Sequence, residues 1–257
     1  MFLVKITFLG TDTCIPSKGN DTASYLINDE LLVDVGWNVT GNLREVGTEV
    51  TSVHHLLFTH MHHDHMISFP SLIFHWTQIP PGRDVSALNI YGPDETLIDA
   101  YEGALAFLQA RRFWPNLKEP KIFPMKAEDE FETDTLRITC MPSDHAVPGR
   151  CYRITDKRDG TVLGMSGDTC YGERLAPFFE GCDLLIHEFS GGLSNVRGLP
   201  TKHSSAIDAA TVARDAGAKR LAIVHGPLEA REKCLEAVAE IYKGELVRPE
   251  PRMSIEI

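Results

Sequence analysis

Four side chains that commonly bind metals stand close together in residues 60–65, which read HMHHDH. His60, His62, Asp64 and His65 form the pattern HxHxDH, directly after a short apolar run. Imidazole and carboxylate groups are ligands that suit zinc and its neighbours among the divalent metals. On a tight loop, alternate residues can converge on one metal while Asp64 and His65 point at a second. The segment therefore predicts a metal site, and a solvated polar loop is the alternative.

Three further candidate ligands stand just past predicted strands. They are His145, Asp168 and His225. A lone histidine at a strand end is more often a structural hydrogen-bonding residue, so each position alone is a weak signal. Catalytic residues gather on loops at strand ends, however, and these positions accompany a complete HxHxDH pattern. Together they make seven candidate ligands.

The predicted secondary structure places these residues on loops between strands and helices. Apolar runs predict strands at 4–8, 24–27, 31–35, 55–58, 88–91, 136–141, 151–155, 162–165, 183–187 and 220–224. Helical spacing and end signals predict helices at 66–76, 94–109, 204–216 and 229–242. Three prolines break residues 114–124, which we expect to form a surface excursion. Strands with flanking helices predict a layered α/β sandwich.

The 257 residues have an ordinary globular composition with an acidic balance. Hydrophobic residues make up 43% of the chain, and no repeat or linker divides it, so we expect one domain over residues 1–257. There are 25 Lys and Arg against 36 Asp and Glu, a formal net charge of −11. Binding to a phosphate backbone needs clustered basic residues, so this charge opposes a broad nucleic-acid surface. An anionic substrate would need a local positive charge.

Neither a membrane anchor nor a signal peptide is expected. No apolar run approaches the roughly 18 residues of a membrane span, and the segment Met1 to Phe8 alternates apolar and polar residues. The six cysteines contain no CxxC pair, which is typical of reduced thiols in a chain that can build its own core. These observations predict a cytoplasmic protein.

The order of the motifs resembles the metallo-β-lactamase fold superfamily over essentially the whole chain. The matching segments are LLVDVG at 31–36, the HxHxDH pattern, His145, the pair Gly167 and Asp168, and His225. The resemblance implies a four-layer αβ/βα sandwich and a hydrolase with two divalent metal ions. Zinc is the first choice, and manganese and iron(II) suit the same ligands.

The resemblance also divides the candidate ligands between two metals. One ion would be held by His60, His62, His145 and Asp168, and the other by Asp64, His65, Asp168 and His225. Asp168 would therefore bridge the pair, and Asp34 would order a loop without binding metal. Two dications roughly 4 Å apart share a water that becomes hydroxide near neutral pH. Asp64 would both bind metal and orient that hydroxide.

Two later segments are similar to the ribonuclease Z and arylsulfatase-like branch of the superfamily. Residues 184–188 read LLIHE, and residues 203–210 read HSSAIDAA. By this resemblance Glu188 would orient His203. His203 would then donate a proton to the leaving oxygen or stabilise charge in the transition state. The alternative is that His203 only forms hydrogen bonds within its own helix start.

Two departures separate the chain from the ribonucleases of that branch. Short ribonuclease Z enzymes carry a long flexible arm after the third histidine motif to clamp tRNA, whereas a plain hairpin is predicted here between His145 and Asp168. The last motif reads His225-Gly226-Pro227, where that branch usually has a longer segment with Ser and Arg. We therefore favour hydrolysis of a small anionic ester, a phosphodiester first. The alternatives are tRNA 3′-end processing, lactone or aryl sulfate hydrolysis, and a non-catalytic binding role.

The remaining candidates have structural explanations as well as functional ones. We interpret five histidines as supporting or structural: His54, His55, His63, His75 and His187. Aromatic residues in 69–76 and 107–114 either wall a pocket or pack in the core. Cys14 and Cys170 are either buried apolar residues or exposed to the metal site. The family resemblance also implies a homodimer.

Overall fold

Two seven-stranded β-sheets form the centre of the fold. The computed structural model describes residues 4–77 and 87–257, so the start of the segment Met1 to Phe8, residues 1–3, lies outside the described ranges. The first sheet contains β1 (Lys5–Gly10), β2 (Ser24–Ile27), β3 (Leu31–Val33), β4 (His55–Leu57), β5 (Asn89–Pro93), β6 (Lys121–Met125) and, from the end of the chain, β14 (Met253–Glu256). The second contains β7 (Glu130–Glu132), β8 (Leu136–Pro142), β9 (Arg150–Asp156), β10 (Val162–Met165), β11 (Leu184–Glu188), β12 (Arg220–Val224) and β13 (Glu245–Val247).

The two sheets have matching strand orders. The first sheet runs β14-β1-β2-β3-β4-β5-β6, and the second runs β13-β12-β11-β10-β9-β8-β7. Strands β3 to β6 pair in parallel, as do β10 to β13, while the other pairings are antiparallel. Parallel strands need crossover connections, and helices supply most of them here.

Helices cover the outer face of each sheet. The helices are α1 (Val39–Glu45), α2 (His63–Met66), α3 (Phe69–Thr77), α4 (Leu97–Phe107), α5 (Ala110–Phe113), α6 (Leu175–Phe178), α7 (Ala206–Asp215) and α8 (Arg231–Ile241). One apolar cluster fills the space between the sheets, a second lies under α1, α3 and α4, and a third lies under α6 to α8. The layers are thus helix, sheet, sheet and helix, which confirms the predicted four-layer αβ/βα sandwich.

One edge of the paired sheets collects the polar strand ends. The carboxyl ends of β3 and β4 in the first sheet and of β8, β10, β11 and β12 in the second all point to this edge, because β8 runs in the same direction as β10. An isolated bridge between His60 and Gly149 joins the sheets there, and the Arg150 amide donates to the Thr59 carbonyl over 2.8 Å. Loops that leave this edge can therefore meet in one place.

The secondary structure departs from prediction where tertiary contacts decide it. The predicted helix over 66–76 is divided, because a single turn, α2, already begins inside the histidine segment. The predicted excursion over 114–124 ends in β6, which tolerates Pro124 because it is the edge strand of its sheet. Within the described ranges, no helix combines the length and apolar character that a bilayer crossing requires.

Candidate metal centre

All seven candidate ligands lie at the shared edge of the two sheets. His60 and His62 follow β4, Asp64 and His65 lie in α2, His145 follows β8, Asp168 follows β10, and His225 follows β12. Their ligand atoms form groups in which all members lie within 4.8 Å of one another: His60, His62, His145 and Asp168 in one, and Asp64, His65 and His225 in another. The structure therefore brings together every residue that the sequence singles out as a ligand.

In the first group, three imidazole nitrogens converge on one point. The Nδ1 atom of His62 lies 3.1 Å from Nε2 of His60 and 3.0 Å from Nε2 of His145. The Oδ2 atom of Asp168 lies 3.7 Å from Nε2 of His60 and 3.9 Å from Nε2 of His145. Three nitrogens and one carboxylate oxygen give four ligand atoms of the types that bind zinc.

The second group contains two imidazoles and a carboxylate on the other side of Asp168. The Nε2 atoms of His65 and His225 are 3.3 Å apart, and Oδ2 of Asp64 lies 3.4 Å from the first and 3.0 Å from the second. The Oδ1 atom of Asp168 lies 3.6 Å from Nε2 of His65. The two oxygens of Asp168 thus face different groups.

Hydrogen-bond acceptors outside the centre fix the proton on four of these imidazoles. The Nδ1 atoms and their partners are His60 with Thr59 Oγ1 (3.1 Å), His65 with Asp34 Oδ2 (2.8 Å), His145 with the Lys202 carbonyl (3.1 Å) and His225 with Ser190 Oγ (3.0 Å). The hydroxyls of Thr59 and Ser190 donate elsewhere, to Asp34 and to the His225 carbonyl, so they accept from the rings. In the neutral tautomer this leaves each Nε2 lone pair facing the centre, ready to bind a cation.

The electrostatics differ between the two groups. In the first, burial lowers the pKa of His60, His62 and His145, which keeps these rings neutral as metal ligands must be. In the second, burial opposes protonation, but neighbouring carboxylates outweigh it and raise the pKa of His65 and His225, so a metal that binds there would displace their protons. Burial also opposes ionisation of Asp64 and Asp168, but the neighbouring imidazoles outweigh it and hold the pKa of both carboxyls below the usual range. Facing nitrogen lone pairs and buried carboxylates together make a ligand set that a divalent metal satisfies.

Asp34, the residue after strand β3, positions the histidine segment. Its carboxylate accepts hydrogen bonds from the Thr59 amide over 2.8 Å, from the Thr59 hydroxyl over 2.7 Å and from His65. The backbone at Asp34 has φ +56°, a conformation that aspartate tolerates better than most residues. Of the seven candidate ligands, these bonds include only His65, which bonds through the Nδ1 atom that points away from the centre. The interpretation of Asp34 as a loop-ordering residue fits these contacts.

Asp34→Asn is expected to weaken metal binding about 10- to 100-fold, because the amide cannot hold His65 through a charge-assisted bond. Competition with a chromogenic chelator measures this affinity. The matched control is Asp156→Asn, which changes a buried carboxylate at the opposite end of β9 and should leave metal affinity unchanged. Equal affinity in Asp34→Asn and wild type would show that the bond does not orient His65.

Glu188, at the end of β11, connects His203 to the centre. Its Oε1 atom accepts from the amide of Thr169 (3.0 Å), from Nδ1 of His203 (2.9 Å) and from the amide of Ser204 (3.2 Å), while Oε2 accepts from the amide of Ser190 (3.0 Å). Burial opposes protonation of His203, but the bond to Glu188 outweighs it and raises the pKa of the imidazole.

The location of His203 separates the two interpretations of that residue. Its side chain is 22% exposed, whereas that of Glu188 is 1% exposed, so a buried carboxylate holds an accessible ring. The ring lies 4.9 Å from that of His145, and Nδ1 is 3.8 Å from Oδ2 of Asp168. Ser205, not His203, caps the following helix through a reciprocal bond with Asp208. The contacts of His203 therefore lead to the centre and not only to its own helix start.

The other histidines lie outside the two ligand groups. The rings of His54 and His55 pack against Trp76 and Tyr91, His75 bonds to Arg44 and the Ser71 carbonyl, His187 donates to the Glu188 carbonyl, and His63 lies in α2 with an exposed side chain. The contacts of His54, His55, His75 and His187 are consistent with the structural interpretation, and that of the exposed His63 stays a prediction.

Burial separates the alternative interpretations of the aromatic residues and of two cysteines. Phe69 is buried in the core, whereas Phe74 is 41% and Phe107 78% exposed, so core packing is wrong for the latter two. Cys170 is buried, and Cys14 is exposed. The described cysteines are all free thiols, as the sequence predicts.

Some residues at the centre carry no sequence signal. The carbonyl of Lys202 holds His145, and its ammonium group bonds to Asp144 over 2.8 Å. The Ser190 hydroxyl holds His225 in the same way. These contacts join segments that are distant in the sequence, and a backbone carbonyl is present at every residue, so periodicity and motif spacing could not reveal them.

Comparison with known proteins gives a family and a fold. The family described as Beta-lactamase superfamily domain matches residues 29–226. A ribonuclease Z from Synechococcus sp. is 26% identical over 86% of this chain and 87% of its own length, and an uncharacterized protein from Mycobacterium tuberculosis is 30% identical over 92% and 86%. Among solved structures, the metallo-beta-lactamase fold protein YhfI from Bacillus subtilis has a TM-score of 0.84, with 23% identity over 100% of both chains. Human tRNase Z, short form, has a TM-score of 0.75, with 20% identity over 98% of both chains.

Proposed function

Because the chain belongs to the Beta-lactamase superfamily domain family and is a metal-dependent hydrolase, we propose that it uses two divalent ions to cleave small anionic esters, phosphodiesters first among them. Asp168 carries this proposal, since its two carboxylate oxygens face two separate groups of buried ligand atoms. A carboxylate in that position suits a bridge between two cations. The whole chain, 1–257, would act as one hydrolase domain.

The proposed ligands follow the two groups. His60, His62, His145 and Asp168 would hold one ion, and Asp64, His65, Asp168 and His225 the other. Zinc suits this mixture of imidazole and carboxylate, and manganese or iron(II) is an alternative. When bound, the pair would supply a hydroxide near neutral pH and polarise the ester oxygen.

The chain's own residues would then position the reactants and move protons. Asp64 contacts His65 and His225 through Oδ2, and its Oδ1 atom would accept a hydrogen bond from the attacking water and orient it. His203 donates its Nδ1 proton to Glu188, so its Nε2 atom is the one that would protonate the leaving oxygen. Glu188 would act as a positioning residue, because it touches His203 and not the ester.

Charge favours a small substrate over a polyanion. The two metals would make the pocket locally positive, while the formal net charge of −11 repels an extended phosphate backbone. Between His145 and Asp168 the chain is occupied by β9, a short turn and β10, where the ribonuclease branch carries its tRNA-binding arm. We therefore place tRNA 3′-end processing second, supported by the named relatives and opposed by charge and by this hairpin. A homodimer stays a prediction.

A metal titration with a substrate panel tests the proposal. The protein is stripped with a chelator, reloaded with zinc or manganese, and assayed on bis(p-nitrophenyl) phosphate, p-nitrophenyl sulfate, a lactone, a thioester and precursor tRNA. We expect activity to rise until two metals are bound per chain, with the phosphodiester cleaved fastest among the small esters. Full activity at one metal per chain would overturn the two-metal arrangement. Faster cleavage of precursor tRNA would favour the alternative.

A further inference from the structure

A partly exposed tryptophan lies beside the candidate metal centre. Trp37 is 46% exposed and follows Asp34 on the loop between β3 and α1. Trp76, by contrast, is 1% exposed and belongs to the core under the helices. A single exposed apolar residue is ordinary, so the contacts of Trp37 and not its exposure decide whether it can bind a ligand.

Two hydrogen bonds fix the orientation of Trp37. Its amide donates to Oδ1 of the buried Asp21 over 2.9 Å, and its Nε1 atom donates to the Cys14 carbonyl over 3.2 Å. The single polar atom of the indole is therefore already satisfied. The part of the side chain that can still bind a ligand is the π-surface of the ring, and the ring is already held in position.

His63 connects this ring to the metal centre. The rings of Trp37 and His63 meet edge to face, with centroids 6.2 Å apart and an interplanar angle of 78°. Nδ1 of His63 lies 3.7 Å from Oδ1 of Asp64, and the His63 side chain is 61% exposed. The ring of His63 thus lies in contact with Trp37 on one side and near a proposed metal ligand, Asp64, on the other.

We propose that Trp37 and His63 form a subsite that stacks on a planar aromatic group of the substrate. The inference rests on the proposed function, because the ester bound at the metals places the aromatic group beside Trp37. A cationic group could also contact an indole face, but two nearby dications would repel it. The subsite therefore selects an aromatic or heteroaromatic ester of an anionic acid, with the anion at the metals and the ring on Trp37.

Binding of two phosphonates that the enzyme does not cleave tests the subsite without using turnover. Phenylphosphonate and methylphosphonate share the group that would bind the metals and differ only in the ring. Calorimetry on the zinc-loaded protein should give tighter binding of phenylphosphonate, by roughly 5- to 150-fold if stacking contributes as it does for bases. In Trp37→Ala this preference should fall towards one, and Trp37→Phe should retain part of it.

The matched control is Phe107→Ala, which truncates an exposed aromatic residue at the far end of α4 and should keep the full preference. Metal content should be unchanged in all three variants, and each should still unfold cooperatively, with a lower melting temperature allowed in Trp37→Ala because its Nε1 bond and partly buried ring are lost. An undiminished preference for phenylphosphonate in Trp37→Ala would overturn the subsite while leaving the proposed function intact. Failure of both phosphonates to bind the zinc-loaded wild type would count against both proposals.

Discussion

Asp168→Ala is expected to abolish two-metal binding and to reduce turnover of bis(p-nitrophenyl) phosphate on the order of 10³-fold or more. The carboxylate lies within 4 Å of His60, His65 and His145, and its two oxygens serve both ligand groups. Metal ions stabilise the transition state by several kcal/mol, and each 1.4 kcal/mol is a factor of ten in rate. Elemental analysis after gel filtration should give well under two metals per chain.

The controls separate loss of metal from loss of fold. Asp168→Asn keeps the shape of the side chain but removes its charge, so it should lose metal while its unfolding in chelator matches that of the metal-free wild type. Asp215→Ala removes an exposed carboxylate at the end of α7 and should keep both metals and activity. Two tightly bound metals with full turnover in Asp168→Ala would contradict the bridging arrangement.

The ligand set was the most predictable part of the site. HxHxDH is contiguous, so its spacing alone indicates convergence, and the three remaining ligands each follow a strand whose apolar run is visible in the sequence. The carboxyl ends of β10 and β12 share one edge because β10, β11 and β12 pair in parallel, and the bridge between His60 and Gly149 brings the end of β4 to the same edge. Local pattern therefore predicts the candidate ligands, whereas their convergence across two sheets depends on a contact that the sequence pattern does not show.

The residues that support the ligands were less predictable, because their contacts are non-local. His145 is held by a backbone carbonyl in a loop that precedes α7, and Trp37 is held by the carbonyl of Cys14. Nothing in the spacing of these residues indicates which chain segment will supply the acceptor. The edge strand β6 was missed for a related reason, since its pairing with β5 outweighs the unfavourable signal of Pro124.

Glu188 contacts both His203 and the loops that carry two of the candidate metal ligands. It binds the amide of Thr169, the residue after Asp168, and also the amide of Ser190, whose hydroxyl holds His225. The same carboxylate orients His203. A change at Glu188 would thus disturb both proton transfer and the ligand loops, whereas a change at His203 would disturb proton transfer alone.

His203 and Glu188 should therefore affect turnover in different ways. His203→Ala should lower the turnover of a phosphodiester with a poor leaving group, such as phenolate, by roughly 10²- to 10⁴-fold. The loss should be smaller with p-nitrophenolate, because a more acidic leaving group depends less on protonation. Metal content should be that of wild type, since the two ligand groups are complete without His203. Steady-state assays along a series of aryl phosphodiesters measure this dependence as the slope of log kcat against the pKa of the leaving group.

Glu188→Gln provides the matched positioning variant. It should steepen the same slope, and adding it to His203→Ala should cost less than Glu188→Gln costs alone, because the part of its effect that passes through His203 is already lost. Additive losses would show that Glu188 acts mainly by ordering the loops of Asp168 and His225. An equal loss in His203→Ala for all leaving groups would exclude proton donation and leave charge stabilisation as the role of that imidazole.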